Sequence, residues 1–413
     1  IFGAKGNSSW DDTTAIIAAV AALPTGRTLY GNPASTYKVS SRIDFNNKNM
    51  QGLTFTYSAS AASIVLIGNA KLKDVTVYVG TTSAAQLSPL SGVVNLHLAD
   101  GAVIDNLTIP DGTSAGERTG IYCSTRASNV EIKNCTANYI GFGLLYNDGS
   151  GGGYPAGTRI VDGTDYATAT IGKGLTITNC SFGAADKTRF GDGIEINCPT
   201  YRFSDVRVYN CVVNKAIPNT TNGPNGIGMG FANIDGLLVD GCYIKDSDGS
   251  GGGLHCEESV GVIFSNNIIV DCWKGIGVGN RGDDIVIANN VVIRSNEAVQ
   301  IVGNTTPVTS LSFTGNCILD TVDFPFVATN INDCIISNNL FRNCDSAGSA
   351  FIELLQTGAL TTKKVTISNN NFRIDNGIAT LIGGSAGTVM NCRSFGNMFN
   401  GVSNNNIAGY MSL

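Results

Sequence analysis

Charge is scarce in this chain: Asp, Glu, Lys and Arg together make up 14% of 413 residues, and histidine occurs only twice. With 26 basic against 32 acidic residues and no basic cluster, the clustered Lys/Arg footprint of a nucleic-acid-binding protein is excluded. No apolar run approaches the roughly 20 residues of a membrane-spanning helix, so no membrane insertion is expected. No CxxC pair and no dense Asp set occurs, so neither a zinc site nor any other metal or cofactor is expected. The helix-forming mixture of Glu, Lys, Leu and Arg is missing as well. The chain starts at Ile1 without a visible signal peptide, which reads as a processed or truncated piece.

What is abundant is glycine, at 51 residues, with Asn, Thr, Val and Ile, a strand-and-turn composition. These residues fall into a drifting phrase. Val262-Ile263-Phe264-Ser265-Asn266-Asn267-Ile268-Ile269-Val270 is followed by Gly275-Ile276-Gly277-Val278-Gly279; Ile285-Val286-Ile287-Ala288-Asn289-Asn290-Val291-Val292-Ile293 is followed by Ala298-Val299-Gln300-Ile301-Val302. The phrase returns around Asn134-Cys135, Asn179-Cys180, Asn210-Cys211, Asn316-Cys317, Asn338-Asn339 and Asn369-Asn370. A helix-free repeat of roughly 22 to 33 residues is a solenoid signature and overrides a two- or three-domain reading. Asn before each apolar triplet tolerates the left-handed conformation and can form an amide ladder from rung to rung.

Twelve cysteines would suggest disulfides, but Cys135, Cys180, Cys211, Cys242 and Cys317 share one repeat position and are expected to stack as buried, reduced thiols. Reduced thiols fit folding in a cytosol. One helix is expected, Ala15 to Leu23, N-capped by the Asp11–Thr14 segment and ended by Pro24 and Gly26; it covers the open first rung. The organisation is a cap over 1–27, a solenoid over 28–400 and a tail over 401–413. Insertions at Asn147–Gly174, Lys215–Gly226 and Asp246–Gly253 are expected to build one binding wall.

Aligning the Gly-led strands stacks Ile194-Glu195-Ile196-Asn197, Ile227-Gly228-Met229-Gly230, Leu254-His255-Cys256-Glu257, Ile276-Gly277-Val278-Gly279 and Val299-Gln300-Ile301-Val302. Alternation turns the second and fourth positions outward. Glu195, Asn197, His255 and Glu257 then stand among the outward glycines Gly228, Gly230, Gly277 and Gly279, and glycine in a strand often marks a close ligand approach. Two rungs at about 4.8 Å set Glu195 and Glu257 roughly 10 Å apart, suited to an inverting glycosidase pair and too wide for a retaining one. Asp192 adds a carboxylate beside Glu195 that could hold a water or raise its neighbour's pKa. Outward acidic residues on such a scaffold are commonly only solvated surface. The coincidence of two Glu, one Asp and one His on a glycine floor favours chemistry.

Phe2-Gly3-Ala4-Lys5-Gly6 with Asp11-Asp12-Thr13-Thr14-Ala15-Ile16 resembles the N-terminal cap of pectate-lyase-like single-stranded right-handed parallel β-helices. Gly191-Asp192-Gly193-Ile194-Glu195-Ile196-Asn197, then Gly226-Ile227-Gly228-Met229-Gly230, then Leu254-His255-Cys256-Glu257, resembles a motif series in bacteriophage tailspike depolymerases. The resemblance implies an all-β right-handed parallel β-helix, a homotrimer on the virion tail, and hydrolysis of a bacterial surface polysaccharide. It places Asp192, Glu195 and Glu257 at the acidic catalytic positions. Candidate substrate contacts are His255, Gly228, Gly230, Asn197, Arg281, Tyr201, Trp273 and Tyr146. Two alternatives stay open. A polysaccharide lyase acting on a uronate polymer would use a base such as Arg281 in Arg281-Gly282-Asp283-Asp284, and a non-catalytic carbohydrate-binding adhesin would need only the groove and its aromatics.

Overall fold

The computed structural model describes residues 2–80, 92–110, 119–124, 127–138, 142–147, 172–183, 192–198, 202–216, 226–249, 251–344, 350–357, 360, 362–373, 380–384 and 389–400. Among the described residues there is one α-helix, Thr13–Ala22; a short strand, Asn7–Asp11, precedes it and parallel strands follow it. The chain forms two compact units, Ile1–Gly226 and Ile227–Leu413. Each is built as a right-handed parallel β-helix in which a strand pairs with its counterpart one turn later in the sequence.

The helix begins two residues earlier and ends one earlier than the expected Ala15 to Leu23, and the carboxylate that bonds its first turn is that of Asp11, not of the cap residue Asp12. Asp11 Oδ1 accepts from the Thr13 backbone N–H at 3.0 Å, whereas Asp12, at the cap position, accepts from the N–H groups of Lys5 (2.7 Å) and Gly6 (3.0 Å). Ile16 and Val20 are buried, and Lys48 Nζ donates to the Val20 carbonyl at 2.6 Å, a cation at the negative end of the helix.

Core columns follow from strand alternation. In the first unit Val94, Ile121, Leu144 and Ile194 stack in register with no exposed surface. In the second, Met229, Leu254, Ile276 and Val299 do the same. Each such side chain contributes about 1.5–3 kcal/mol by leaving water.

The corner before each apolar triplet divides its labour between two residues. The first takes the left-handed conformation, as at Asn134, Asn179, Asn210, Asn266, Asn289, Asn338 and Asn369, or at Gly241, Gly315 and Gly396. The second is buried. In the second unit Cys242 holds this place first, and six asparagines follow: Asn267, Asn290, Asn316, Asn339, Asn370 and the half-buried Asn397. Each of the first five asparagines sends both its backbone N–H and its Nδ2 to the Oδ1 of the next, at 2.8–3.1 Å. The expected amide ladder is therefore present, one residue further into the corner than the left-handed position. In the first unit the buried place belongs to Cys135, Cys180 and Cys211.

All twelve cysteines are free thiols. Cys317 departs from the expected column. It pairs with Val291 and Leu340, on the outer side of the triplet, and Asn316 holds the buried position. Gly315 supplies the left-handed residue one place earlier than in Asn134-Cys135, which shifts the whole corner by one.

Candidate active-site face

The strand Leu254–Ser265 pairs in register with Lys274–Ala288: Leu254 with Ile276, His255 with Gly277, Cys256 with Val278, Glu257 with Gly279. Gly277 pairs in turn with Gln300. These three rungs match the sequence alignment. The rung before them does not. Met229 pairs with Leu254 and Gly230 with His255, so this strand sits two residues along from its expected place. Gly230 and Ala232 stand in the columns of His255 and Glu257, and Gly228 lies outside both. A Cβ on Gly228 would come within 2.5 Å of the Gly253 carbonyl oxygen and of Ile244 Cγ2. Gly228 is thus packed against the core and is not an outward substrate contact. Gly253 and Gly275 repeat the arrangement on the following rungs, against Ile269 and Val292.

The outward glycines have a specific use. A Cβ on Gly277 would sit 2.5 Å from His255 Nδ1, and one on Gly279 3.3 Å from Glu257 Cγ and Oε1. Both side chains lie down across the next rung, in space that any larger residue would fill. There His255 Nε2 donates to Glu257 Oε1 at 3.0 Å, and Asn280 Nδ2 donates to Glu257 Oε2 at 3.0 Å. Asn280, in the left-handed conformation at φ 64°, is itself held by Asn304 Nδ2. The His255 hydrogen bond is the chief reason that the Glu257 carboxyl falls below the usual range, burial opposing it. Glu257 is a fixed carboxylate with a 42% exposed side chain, suited to act as base or nucleophile.

Lys274, Glu297 and Gln300 join this face. Lys274 Nζ donates to Gln300 Oε1 at 2.8 Å, and Gln300 Nε2 donates to Glu297 Oε2 at 2.9 Å. Burial pushes the Glu297 carboxyl up, with the Lys274 charge pulling it back. Further along, Glu353 pairs with Val327, which pairs with Gln300, and burial raises its carboxyl too. Asn280, Lys274, Glu297 and Glu353 escaped the sequence reading. Extending the aligned strands by one residue past Gly279, three before Gly277, and two more rungs onward would have reached them.

Glu195 and Asp192 belong to the first unit and Glu257 to the second. Glu195 stands in the column of Tyr122 and Leu145, and accepts from Asn197 Nδ2 at 3.2 Å. Burial raises its carboxyl; hydrogen bonds with Asp192 and Asn197 act in the opposite direction. Asp192 is therefore Glu195's neighbour, as expected, but burial is what raises the pKa. Asp192 is 1% exposed. Tyr146 pairs with Cys123 and Ile196, and Leu145 with Glu195. Tyr201, most of the 147–174 insertion and the 401–413 tail lie outside the described residues. Trp273 is 49% exposed beside Lys274, and Arg281 is exposed just past the Asn280 corner. Among the described residues no group of three or more His, Cys, Asp or Glu is placed to hold a metal.

Fold and strand order define a single-stranded right-handed parallel β-helix protein. No protein-family model matches the sequence, and no curated protein does. Solved structures do. The catalytic unit of a GH87 alpha-1,3-glucanase from Streptomyces thermodiastaticus is similar over 99% of this chain and 69% of its own, with a TM-score of 0.57 and 14% identity. Dettilon tailspike protein is similar over 95% of this chain and 67% of its own, with a TM-score of 0.46 and 12% identity. The tailspike of E. coli bacteriophage HK620 is similar over 96% and 64%, with a TM-score of 0.43 and 13% identity. At 14% identity the likeness to the glucanase unit is one of fold.

Proposed function

We propose that the protein is a tailspike-like depolymerase that binds a bacterial surface polysaccharide and hydrolyses its glycosidic bonds. The observation that carries this reading is the Glu257 carboxylate, oriented through both oxygens by His255 and Asn280 on an outward face. Glycosidases need carboxyl groups held in defined protonation states. Glu195, in the first unit, is a second candidate carboxyl, pushed up by burial and in contact with Asp192. A β-helix likeness to the catalytic unit of a glucanase agrees with carbohydrate processing as the broad activity.

The motif series around Asp192, Glu195 and Glu257 supports a virion-tail location and assembly as a homotrimer. An outward apolar stripe on the second unit offers a surface for such assembly: Tyr243, Ile268, Val291, Cys317 and Leu340 follow one another in register, with Tyr243 and Ile268 exposed.

The test is to incubate the protein with host polysaccharide and measure new reducing ends together with the ultraviolet absorbance of an unsaturated uronate. Reducing ends alone support hydrolysis. Both signals together would replace it with a lyase, and binding with neither would leave an adhesin. Glu195→Gln and Glu257→Gln should each lower cleavage by about 10²-fold or more and spare binding, as for loss of a general acid or base. Near-normal cleavage by both variants removes these residues from the chemistry.

A further inference from the structure

The outward face of the second unit carries a one-sided set of charges. Glu257, Glu297 and Glu353 stand in or beside the columns that contain His255, Gly277 and Gln300. The cation among them, Lys274, is already engaged: it lies opposite Glu297 in register, with Nζ 3.8 Å from Oε2, and Gln300 spans the two. His255 is likewise tied to Glu257. Asp323 adds a further negative charge close enough to Glu297 to push its carboxyl up. Arg281 lies past the corner, outside these columns.

A polymer of uronates would bring repeated carboxylates against this face and find, among the described residues, no uncommitted cation in it. Like charges brought together at a partly desolvated surface are costly. A neutral sugar meets the opposite situation. Lys274 and Glu297 side chains are each 18% exposed, enough for a small group to reach them. An ammonium has three donors and a carboxylate only acceptors, so one hydroxyl can accept from Lys274 while its neighbour donates to Glu297. Gln300 holds the two groups at the spacing such a diol would bridge. Lys274 lies on the rung after His255, and Glu297 and Gln300 on the rung beyond it, about 10 Å along from His255, so a chain laid along the axis would touch both places.

Resting on the polysaccharide reading above, we infer that this face takes a neutral glycan and rejects uronate polymers, with Lys274, Glu297 and Gln300 forming a subsite for a vicinal diol. Carboxyl-rich and neutral bacterial polysaccharides are thereby distinguished by the charge of the face before any bond is cut.

The experiment presents the unaltered protein to immobilised neutral polysaccharides and to uronate-rich ones from bacterial surfaces, scoring binding and new reducing ends separately. Binding confined to neutral glycans is expected, weakened about 10-fold or more by Lys274→Met, as for loss of a charged hydrogen bond. Glu353→Lys, at a partly exposed position away from the trio, should gain binding to uronate polymers. Uronate binding by the unaltered protein, no binding to any neutral glycan, or a Glu353→Lys variant with unchanged preference would each overturn the inference. Neutral binding without reducing ends would sink hydrolysis and leave the substrate class standing, so the two readings fail separately.

Discussion

The His255 imidazole occupies the space in which Gly277 would carry a Cβ, with Nδ1 2.5 Å from that position. The glycine on one rung thereby sets the rotamer of a side chain on the rung before it, and through Nε2 the orientation of Glu257.

Gly277→Ala should therefore displace His255 and release Glu257, whereas Gly279→Ala, with its nearest contact at 3.3 Å, needs only a small adjustment. Cleavage by the Gly277 variant is expected to fall about 10-fold or more, as for a misplaced catalytic group, with the Gly279 variant much closer to the unaltered protein. Steady-state assays of both with one polysaccharide make the comparison; equal losses would contradict the role given to His255.

The two carboxyls predict opposite pH slopes. Glu195 keeps its proton in the folded chain beyond the ordinary glutamate value of about 4.3, so its contribution to stability falls as pH rises from there through the folded pKa. Glu257 is depressed, so its contribution is present above about 4.3 and is lost as pH falls through the folded pKa. Melting curves across that range should show Glu195→Gln flattening the decline on the alkaline side and Glu257→Gln the decline on the acid side.

Asn316 is a shared rung of the amide ladder. Its Oδ1 accepts from Asn290 N and Nδ2, and its Nδ2 donates to Asn339 Oδ1 and to the Ile287 carbonyl. Asn316→Ala strands several buried polar groups at once and should cost about 3 kcal/mol or more. Urea unfolding of the variant measures it. A loss within about 0.5 kcal/mol, the size of an ordinary surface change, would mean the ladder is not what holds these corners.

The thiols should be inert in the folded protein. Burial pushes Cys272 and Cys334 up to about 12 and Cys344 up to about 11, far from the thiolate form that alkylating reagents attack. Cys317, partly exposed, should be the first of the twelve to react, with the others following only on unfolding. Mass spectrometry after timed treatment with iodoacetamide resolves the order. Reductant should leave the melting temperature unchanged.

Much of the fold was legible because period two and the Asn corner are local properties of a strand-and-turn chain. The Leu254, Ile276 and Val299 rungs align by eye as they align in space. The same period explains the failure at Gly228. Ile227-Gly228-Met229-Gly230 and Met229-Gly230-Phe231-Ala232 show the same alternation, so a slip of two residues changes no inward or outward assignment within the strand Met229–Ala232 and shows itself only at Gly228, which it leaves before the strand. Only the packing of Gly228 against Ile244 and the Gly253 carbonyl fixes which is correct. Asn316-Cys317 misleads in the same way, because Asn134-Cys135 has the same spelling in a corner shifted by one.

The sequence by itself determined a parallel β-helix, its buried ladders and the outward placement of His255 and Glu257, since strand alternation alone decides each of these. Tertiary structure decided what those residues do. The charge state of each glutamate is biased by its surroundings: Glu257 by its strand neighbour His255 and by Asn280 from the next rung, Glu297 by burial with Lys274 and Asp323, Glu353 by burial alone. Asn280 lies 23 residues beyond Glu257, and Lys274 and Asp323 are about as far from Glu297, one turn of the helix in each case; they become neighbours only when the rungs stack at about 4.8 Å.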